Sequence, residues 1–361
     1  MQEMVMNAHL AWKSGRTYVM YNYTWDRHAD GDYSHFGDTL IPARIPITAL
    51  AAGPIAGGPF PASDPTPPAV TTEFFEKVCP HPTLVNVQET KGDELEWASA
   101  STMMEGFSAK LRNIEDNCIE LQEDTSQVFD FWIFGDGPRM MDFWPEIMQS
   151  PILTEWAWSS LVVSGVEANR KKIHPAITKK DRHRAPLPGL IALHIRRGDF
   201  EGHCEHLAKW TAAFNAFNVR PDYPDQHVAP EGGGGGENTP EGFAFYKQHC
   251  FPDIDQIVEK VMDIRTESKT PLDRIFILTN AKRDWLDELD GKFRAKAVWK
   301  SITTSRDMEV TWEQKFVAQS MDMLIATRAE VFVGNGWSSL TSNINMLRIS
   351  QFHPPSKSHF W

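Results

Sequence analysis

The stretch Leu190-Ile-Ala-Leu-His-Ile-Arg-Arg-Gly-Asp199 runs from an apolar segment straight into two arginines, a glycine and an aspartate. The apolar part is short, rich in Leu and Ile, and preceded by Pro188-Gly189, which predicts a buried strand rather than a helix. Two guanidiniums at the end of such a strand are costly to desolvate alone. Their natural partners are carboxylates or phosphates, which the guanidinium fork matches bidentately. In an open α/β sheet the carboxyl end of a strand is also where ligands sit. The stretch therefore predicts an anionic ligand, a phosphate ester.

The residues that follow alternate in kind. A helix is expected over Asp253–Ser268, with Ile254, Ile257, Val258, Val261 and Met262 on one face. A strand Arg274–Asn280, a short helix Asp284–Leu289, a strand Ala295–Trp299 and a helix Trp312–Thr327 come next. The strand Glu330–Val333 then enters Gly334-Asn-Gly-Trp-Ser-Ser339, which opens a helix to about Ile349. Strand–helix alternation of this kind implies an α/β fold with a parallel, doubly wound sheet. No internal repeat is evident.

The first half is less regular. Met4, Val5, His9 and Trp12 recur at helical spacing before Gly15, and Thr17–Tyr23 reads as a strand. A Pro/Gly-rich belt runs from Ile41 to Pro68, a strand is expected at 129–134, and helices from Trp144 to Val163 break at Pro151. The basic stretch 169–188 marks the boundary, giving domains 1–185 and 186–361.

At 361 residues the chain can bury a large core and divides most naturally in two. Its net charge of −12 argues against a nucleic-acid partner. No apolar run approaches a membrane span, and Met1–Gly15 lacks the charged start and apolar core of a signal peptide. Four cysteines leave three pairings open, against the alternative of four free thiols. Cys204 and Cys250 bracket the loop Pro230–Pro240 with its five glycines, where a disulfide would hold a segment with little core of its own. Cys79 and Cys118 form the other candidate pair. Asn22-Tyr-Thr24 has the form of a glycosylation acceptor, but its place in a strand-like stretch reads as coincidence.

The turn at 334–339 is a second candidate site. Gly334 and Gly336 permit close backbone approach, and Ser338 or Ser339 stands where a helix cap belongs. A helix N-terminus with free N–H groups and hydroxyls binds anions. On a parallel sheet this turn and the Arg196/Arg197 strand end share one edge, so they could grip one diphosphate from two sides.

His-x-Arg-Arg-x-Asp at 194–199, with Phe-Val-Gly-Asn-Gly-Trp-Ser-Ser-Leu-Thr-Ser-Asn at 332–343, resembles the GDP-fucose-dependent fucosyltransferase superfamily, most nearly the fungal O-fucosyltransferase-like proteins. Ile-Pro-Ile-Thr-Ala-Leu-Ala-Ala-Gly-Pro at 45–54 and Val-Cys-Pro at 78–80 also look like that group. The resemblance implies a GT-B-like architecture, two Rossmann-like domains facing across a cleft, with the donor held mainly by the C-terminal one. It implies inverting, metal-independent transfer of fucose from GDP-fucose to a hydroxyl of a protein or glycan, in the lumen of the secretory pathway. No cofactor beyond the GDP-fucose donor is implied.

By the same resemblance, Arg196 is the catalytic residue, binding the β-phosphate and supporting departure of GDP. His194 contacts the guanine, and Asp322, in Ser-Met-Asp-Met-Leu, reads its N–H edge. Ser338, Ser339 and Leu340 match the stretch that holds the phosphates. Arg197 and Asp199 assist, Asp199 by orienting an arginine. Glu201 or Asp199 could serve as acceptor base by position alone. The family's N-terminal domain usually starts with a strand and a Gly/Asn-rich loop ahead of its first helix, whereas this sequence starts on what resembles that helix. A second reading follows, a nucleotide-sugar-binding pseudoenzyme. Bland alternatives exist for each residue: His194 as a core histidine, Asp322 on a solvated helix face, Arg197 paired only with Asp199 or Glu201. His203, Cys204 and His206 offer no four-ligand metal set.

Overall fold

A computed structural model describes residues 1–36, 39–122, 127–177, 184–351 and 353–361. Residues 178–183 of the basic stretch lie outside the described residues. The chain divides into two compact units. One comprises Met1–Phe134, Arg139–Val163 and Trp312–Val317, the other Gly135–Pro138, Ser164–Thr311 and Ala318–Trp361.

The second unit is built on five strands: β1 (Leu187–Ile195), β2 (Arg274–Thr279), β3 (Ser301–Thr304), β4 (Ala329–Gly334) and β5 (Ser358–Phe360). All pair in parallel, in the order β3-β2-β1-β4-β5. This is the doubly wound Rossmann order, five strands long, and its direction reverses between β1 and β4. Its helices of ten residues or more are α1 (Phe200–Lys209), α2 (Pro240–Cys250), α3 (Ile254–Glu267), α4 (Arg283–Lys296), α5 (Ala318–Arg328) and α6 (Ser339–Ser350). The α/β class expected from the sequence is the class found.

Alternation along β1 decides what each side chain meets, because successive residues point to opposite faces. Ile191, Leu193 and Ile195 pack in one cluster with Ile257, Val258 and Val261 of α3 and Leu286, Leu289 and Phe293 of α4. His194 points the other way, where its Nδ1 lies 2.8 Å from the Thr341 hydroxyl of α6. Both faces of the strand are covered, which is why its sequence reads as an unbroken apolar run.

Several local expectations change. Residues 129–134 are not a strand, since Phe131–Gly135 is helical. The Asp130 carboxylate accepts from the backbone N–H groups of Trp132 and Ile133, at 3.0 and 3.2 Å, and so caps that turn. The strand expected at Ala295–Trp299 is absent: Ala295 and Lys296 end α4, which runs this far because Phe293 extends the buried Leu286–Leu289 stripe, and residues 297–299 are irregular. Trp299 folds back, its indole N–H donating to the Phe293 carbonyl. The strand itself comes later, as β3. The expected helix Trp312–Thr327 is interrupted, with Trp312–Lys315 separate from α5.

The first unit carries small sheets. Val19–Met20 pairs in parallel with Val70–Thr71, and Thr83–Asn86 with Ile119–Gln122. Two antiparallel pairs, Tyr23–Thr24 with Arg44–Ile45 and Tyr33–Phe36 with Thr39–Pro42, complete its described strands. Of the expected strand Thr17–Tyr23, only Val19–Met20 and the start of the next short pair are extended ladders. The helix Gln2–Lys13 buries Met4, Val5, Ala8, His9 and Leu10. His9 is fully buried, with Nδ1 2.8 Å from the Ser150 hydroxyl and Nε2 2.7 Å from the Glu146 carboxylate. Among the described residues no helix is long and apolar enough to cross a membrane.

Both expected cysteine pairs are bonded, Cys79–Cys118 with Cα atoms 5.6 Å apart and Cys204–Cys250 at 6.0 Å. The second joins α1 to the end of α2 and closes the loop holding Gly232–Gly236. All five of those glycines take left-handed backbone conformations, so the run is tightly turned.

Candidate functional site

The carboxyl ends of β1 and β4 meet at the switch point of the second unit. Beyond β1, the alternation that buries His194 on the α6 side separates the two arginines. Arg196 shares the His194 side and is the charge that bears on that imidazole. Burial, reinforced by Arg196, pushes His194 down to about 3, so it is a neutral ring at any working pH. Arg196 stays about a third exposed, stacks on the Phe200 ring at 4.9 Å, and reaches Asp199 at 3.2 Å. Its Nε is buried and has no partner among the described residues.

Arg197 goes to the other side. Its guanidinium lies between the rings of Phe251 and Trp285, at 4.4 and 4.3 Å, and Nη2 donates to the Pro252 carbonyl. Nε and Nη1 are buried without partners among the described residues, and burial lowers its pKa to about 10. The backbone around it is clamped by Asn280, which accepts from the Arg197 N–H at 2.8 Å and donates to the Arg197 carbonyl at 2.9 Å. Gly198 follows with φ +64°, turning the chain so that Asp199 comes back against Arg196. The two arginines therefore do not stand side by side: Arg196 faces outward and Arg197 braces the turn from beneath.

The β4–α6 turn is held as tightly. Asn335 is fully buried; its carboxamide accepts from the Trp337 N–H and donates to the Cys250 carbonyl at 2.7 Å. Its N–H donates to the Thr341 hydroxyl, the same hydroxyl that meets His194. The glycines serve this packing. A Cβ on Gly334 would stand 2.5 Å from Thr341 Cγ2, and one on Gly336 2.2 Å from the Phe214 ring. The close approach they permit is thus of protein side chains. Ser338 is the N-cap of α6, yet its hydroxyl makes no capping bond. The N–H groups of Ser339, Leu340 and Thr341 have no intrahelical acceptor, as at any helix start. Ser339 is exposed and Leu340 half-buried.

Asp322 lies midway along α5, facing Ser305 just beyond the end of β3. The Ser305 hydroxyl donates to its Oδ2 at 2.8 Å. Burial pushes the carboxyl up to about 7, against the opposing pull of Ser305 and of Arg306. A carboxylate held at that poise is a strong acceptor waiting for donors. Arg306 is exposed and donates to the Asn280 carbonyl at 3.3 Å, linking Asp322 to the Arg197 clamp. Sequence reasoning missed Asn280, Ser305, Arg306 and Thr341. Asn280 was legible as a polar residue at a strand's carboxyl end; Ser305 and Arg306 were hidden because β3 had been expected earlier.

Among the described residues, Glu201 pairs with Lys247 at 2.7 Å, and no group of three potential ligands forms a metal cluster. Cys204 is committed to its disulfide.

Residues 165–350 match the model of the GDP-fucose protein O-fucosyltransferase family. This chain belongs to that family. The matched region coincides with most of the second unit and contains both the β1 and the β4 turns. Solved structures of POFUT1 share the fold. The GDP complex is 15% identical with a TM-score of 0.53, covering 99% of this chain and 93% of that one. The apo form gives 15% and 0.56, covering 100% and 93%. The GDP-fucose complex gives 15% and 0.53 over the same shares. The family's α/β, GT-B-like fold is therefore the fold of this chain. No curated protein matches it in sequence.

Proposed function

We propose that this O-fucosyltransferase-family chain moves fucose from GDP-fucose to a hydroxyl of a protein or glycan, with inversion and without a metal. The observation that carries the reading is the junction of β1 and β4, where an outward arginine stands at the same sheet edge as a helix start with free donors. Arg196 would bind the β-phosphate and offset the charge that grows on GDP as the glycosidic bond breaks; a fixed cation there is most effective in the transition state. The α6 amides with Ser338, Ser339 and Leu340 would hold the diphosphate. Neutral His194 would contact the guanine, and Asp322 would accept its two N–H donors. Asp199 would orient Arg196, while Arg197 acts as a positioning residue through the turn it braces. The two disulfides support an oxidising compartment, the lumen of the secretory pathway.

The test is transfer from GDP-fucose to hydroxyl-bearing peptides and glycans. Free GDP should appear only with acceptor, the fucoside should carry the anomeric configuration opposite to the donor's, and chelators should leave the rate unchanged. Calorimetry showing no GDP binding by the wild-type chain would sink the reading. Binding without turnover would leave the donor site and remove the transferase.

Asp322 gives the site a pH dependence. Guanine donors favour the ionised carboxylate, so bound GDP should pull its pKa below the free value of about 7. Affinity should rise with pH and level off above 7, changing by about tenfold from pH 6 to pH 8. Asp322→Asn should flatten that profile; a flat wild-type profile would remove Asp322 from guanine recognition.

A further inference from the structure

The only Asn-x-Ser/Thr tripeptide in the chain is Asn22-Tyr23-Thr24. As a sequence it looked embedded in a strand, and a strand interior is a poor place for a glycan. The structure removes that objection. Val19–Met20 ends before the tripeptide, and the next ladder begins only at Tyr23, paired with Ile45. Asn22 falls in the gap between two short ladders and is exposed. The Thr24 hydroxyl donates to the Asn22 backbone carbonyl at 3.2 Å, so the hydroxyl the acceptor motif requires is held beside the exposed Asn22. Both disulfides of the chain are formed, one of them, Cys79–Cys118, within this same unit.

We infer that Asn22 is an N-glycosylation site. The inference rests on the luminal reading above, because the donor it needs is a lipid-diphosphate-linked oligosaccharide. Asn22 Nδ2 attacks the anomeric carbon of that donor. The carbon–oxygen bond to the diphosphate breaks with its electron pair leaving on the lipid diphosphate, the carbon–nitrogen bond forms, and the amide gives up one proton. Nothing is oxidised or reduced. The attached sugar adds at the exposed Asn22 side chain and displaces no buried one.

Mass spectrometry of the chain purified from a eukaryotic host decides the matter. One glycan per chain is expected, on the peptide containing Asn22, and peptide N-glycosidase should release it and leave Asp at that position. Asn22→Gln and Thr24→Ala should each abolish it while the chain still forms both disulfides. A chain with both disulfides formed and Asn22 unmodified overturns this inference alone. A chain with four free thiols and no glycan overturns the luminal reading along with it.

Discussion

Arg196→Ala should weaken GDP binding by about 2–5 kcal/mol, the range expected when one partner of a desolvated charge pair is truncated. The size follows from what Arg196 does in the free protein. Its side chain is already fixed on Phe200 at 4.9 Å and against Asp199 at 3.2 Å, so little ordering remains when an anion arrives. Its Nε is buried and has no hydrogen-bond partner among the described residues. Arg196→Lys should recover only part of the loss, because an ammonium cannot reproduce a bidentate fork. Turnover should fall further than binding if the arginine meets the leaving diphosphate more strongly in the transition state. Calorimetry and a GDP-release assay on the three proteins separate these effects; an unchanged affinity in Arg196→Ala would move the phosphate site elsewhere.

Removing the second disulfide should cost stability on a comparable scale. Cys204 and Cys250 are 46 residues apart and fully buried. For a loop of that length the loss of chain-entropy restraint amounts to about 4 kcal/mol. The Cys204→Ala/Cys250→Ala double variant should therefore show a lower denaturation midpoint than wild type under oxidising conditions, and the two proteins should converge in reductant, where Cys79–Cys118 opens in both. The effect should also reach the donor site, because the Cys250 carbonyl is where the Asn335 carboxamide is anchored. Reduced GDP affinity in the folded double variant is the expected companion result. An unchanged midpoint would mean that the loop's aromatic packing alone holds it.

The second unit was legible where physics leaves a strong mark on sequence. β1, β2 and β4 are covered on both faces and so read as apolar runs, and the carboxyl ends of β1 and β4 named the residues now found at the switch point. β3 lies at the sheet edge and reads Ser-Ile-Thr-Thr, too polar to stand out, so α4 seemed to end early and Ser305 and Arg306 went unseen. Phe129–Phe134 is rich in aromatics like a strand, whereas the carboxylate of Asp130 caps a helical turn there. The fate of Arg197 was not readable at all, because its aromatic sandwich comes from Phe251 and Trp285, far along the chain. The two-residue ladders of the first unit carry too few residues for any periodicity to show.

The central place of β1 also governs when the site can exist. Leu190 lies opposite Arg274, and Ile191 opposite Val331, so both neighbours of this strand are distant in sequence. Parallel pairings of such long reach form slowly, since each must close a large loop before it returns any contact energy. The Cys204–Cys250 bond lies wholly within the β1–β2 connection and shortens that loop once made. Oxidation ahead of strand docking should speed the first pairing. The second waits for β4. An assembled donor pocket is thus a late product of folding, absent from any nascent chain that has not yet reached the Gly334–Ser339 turn.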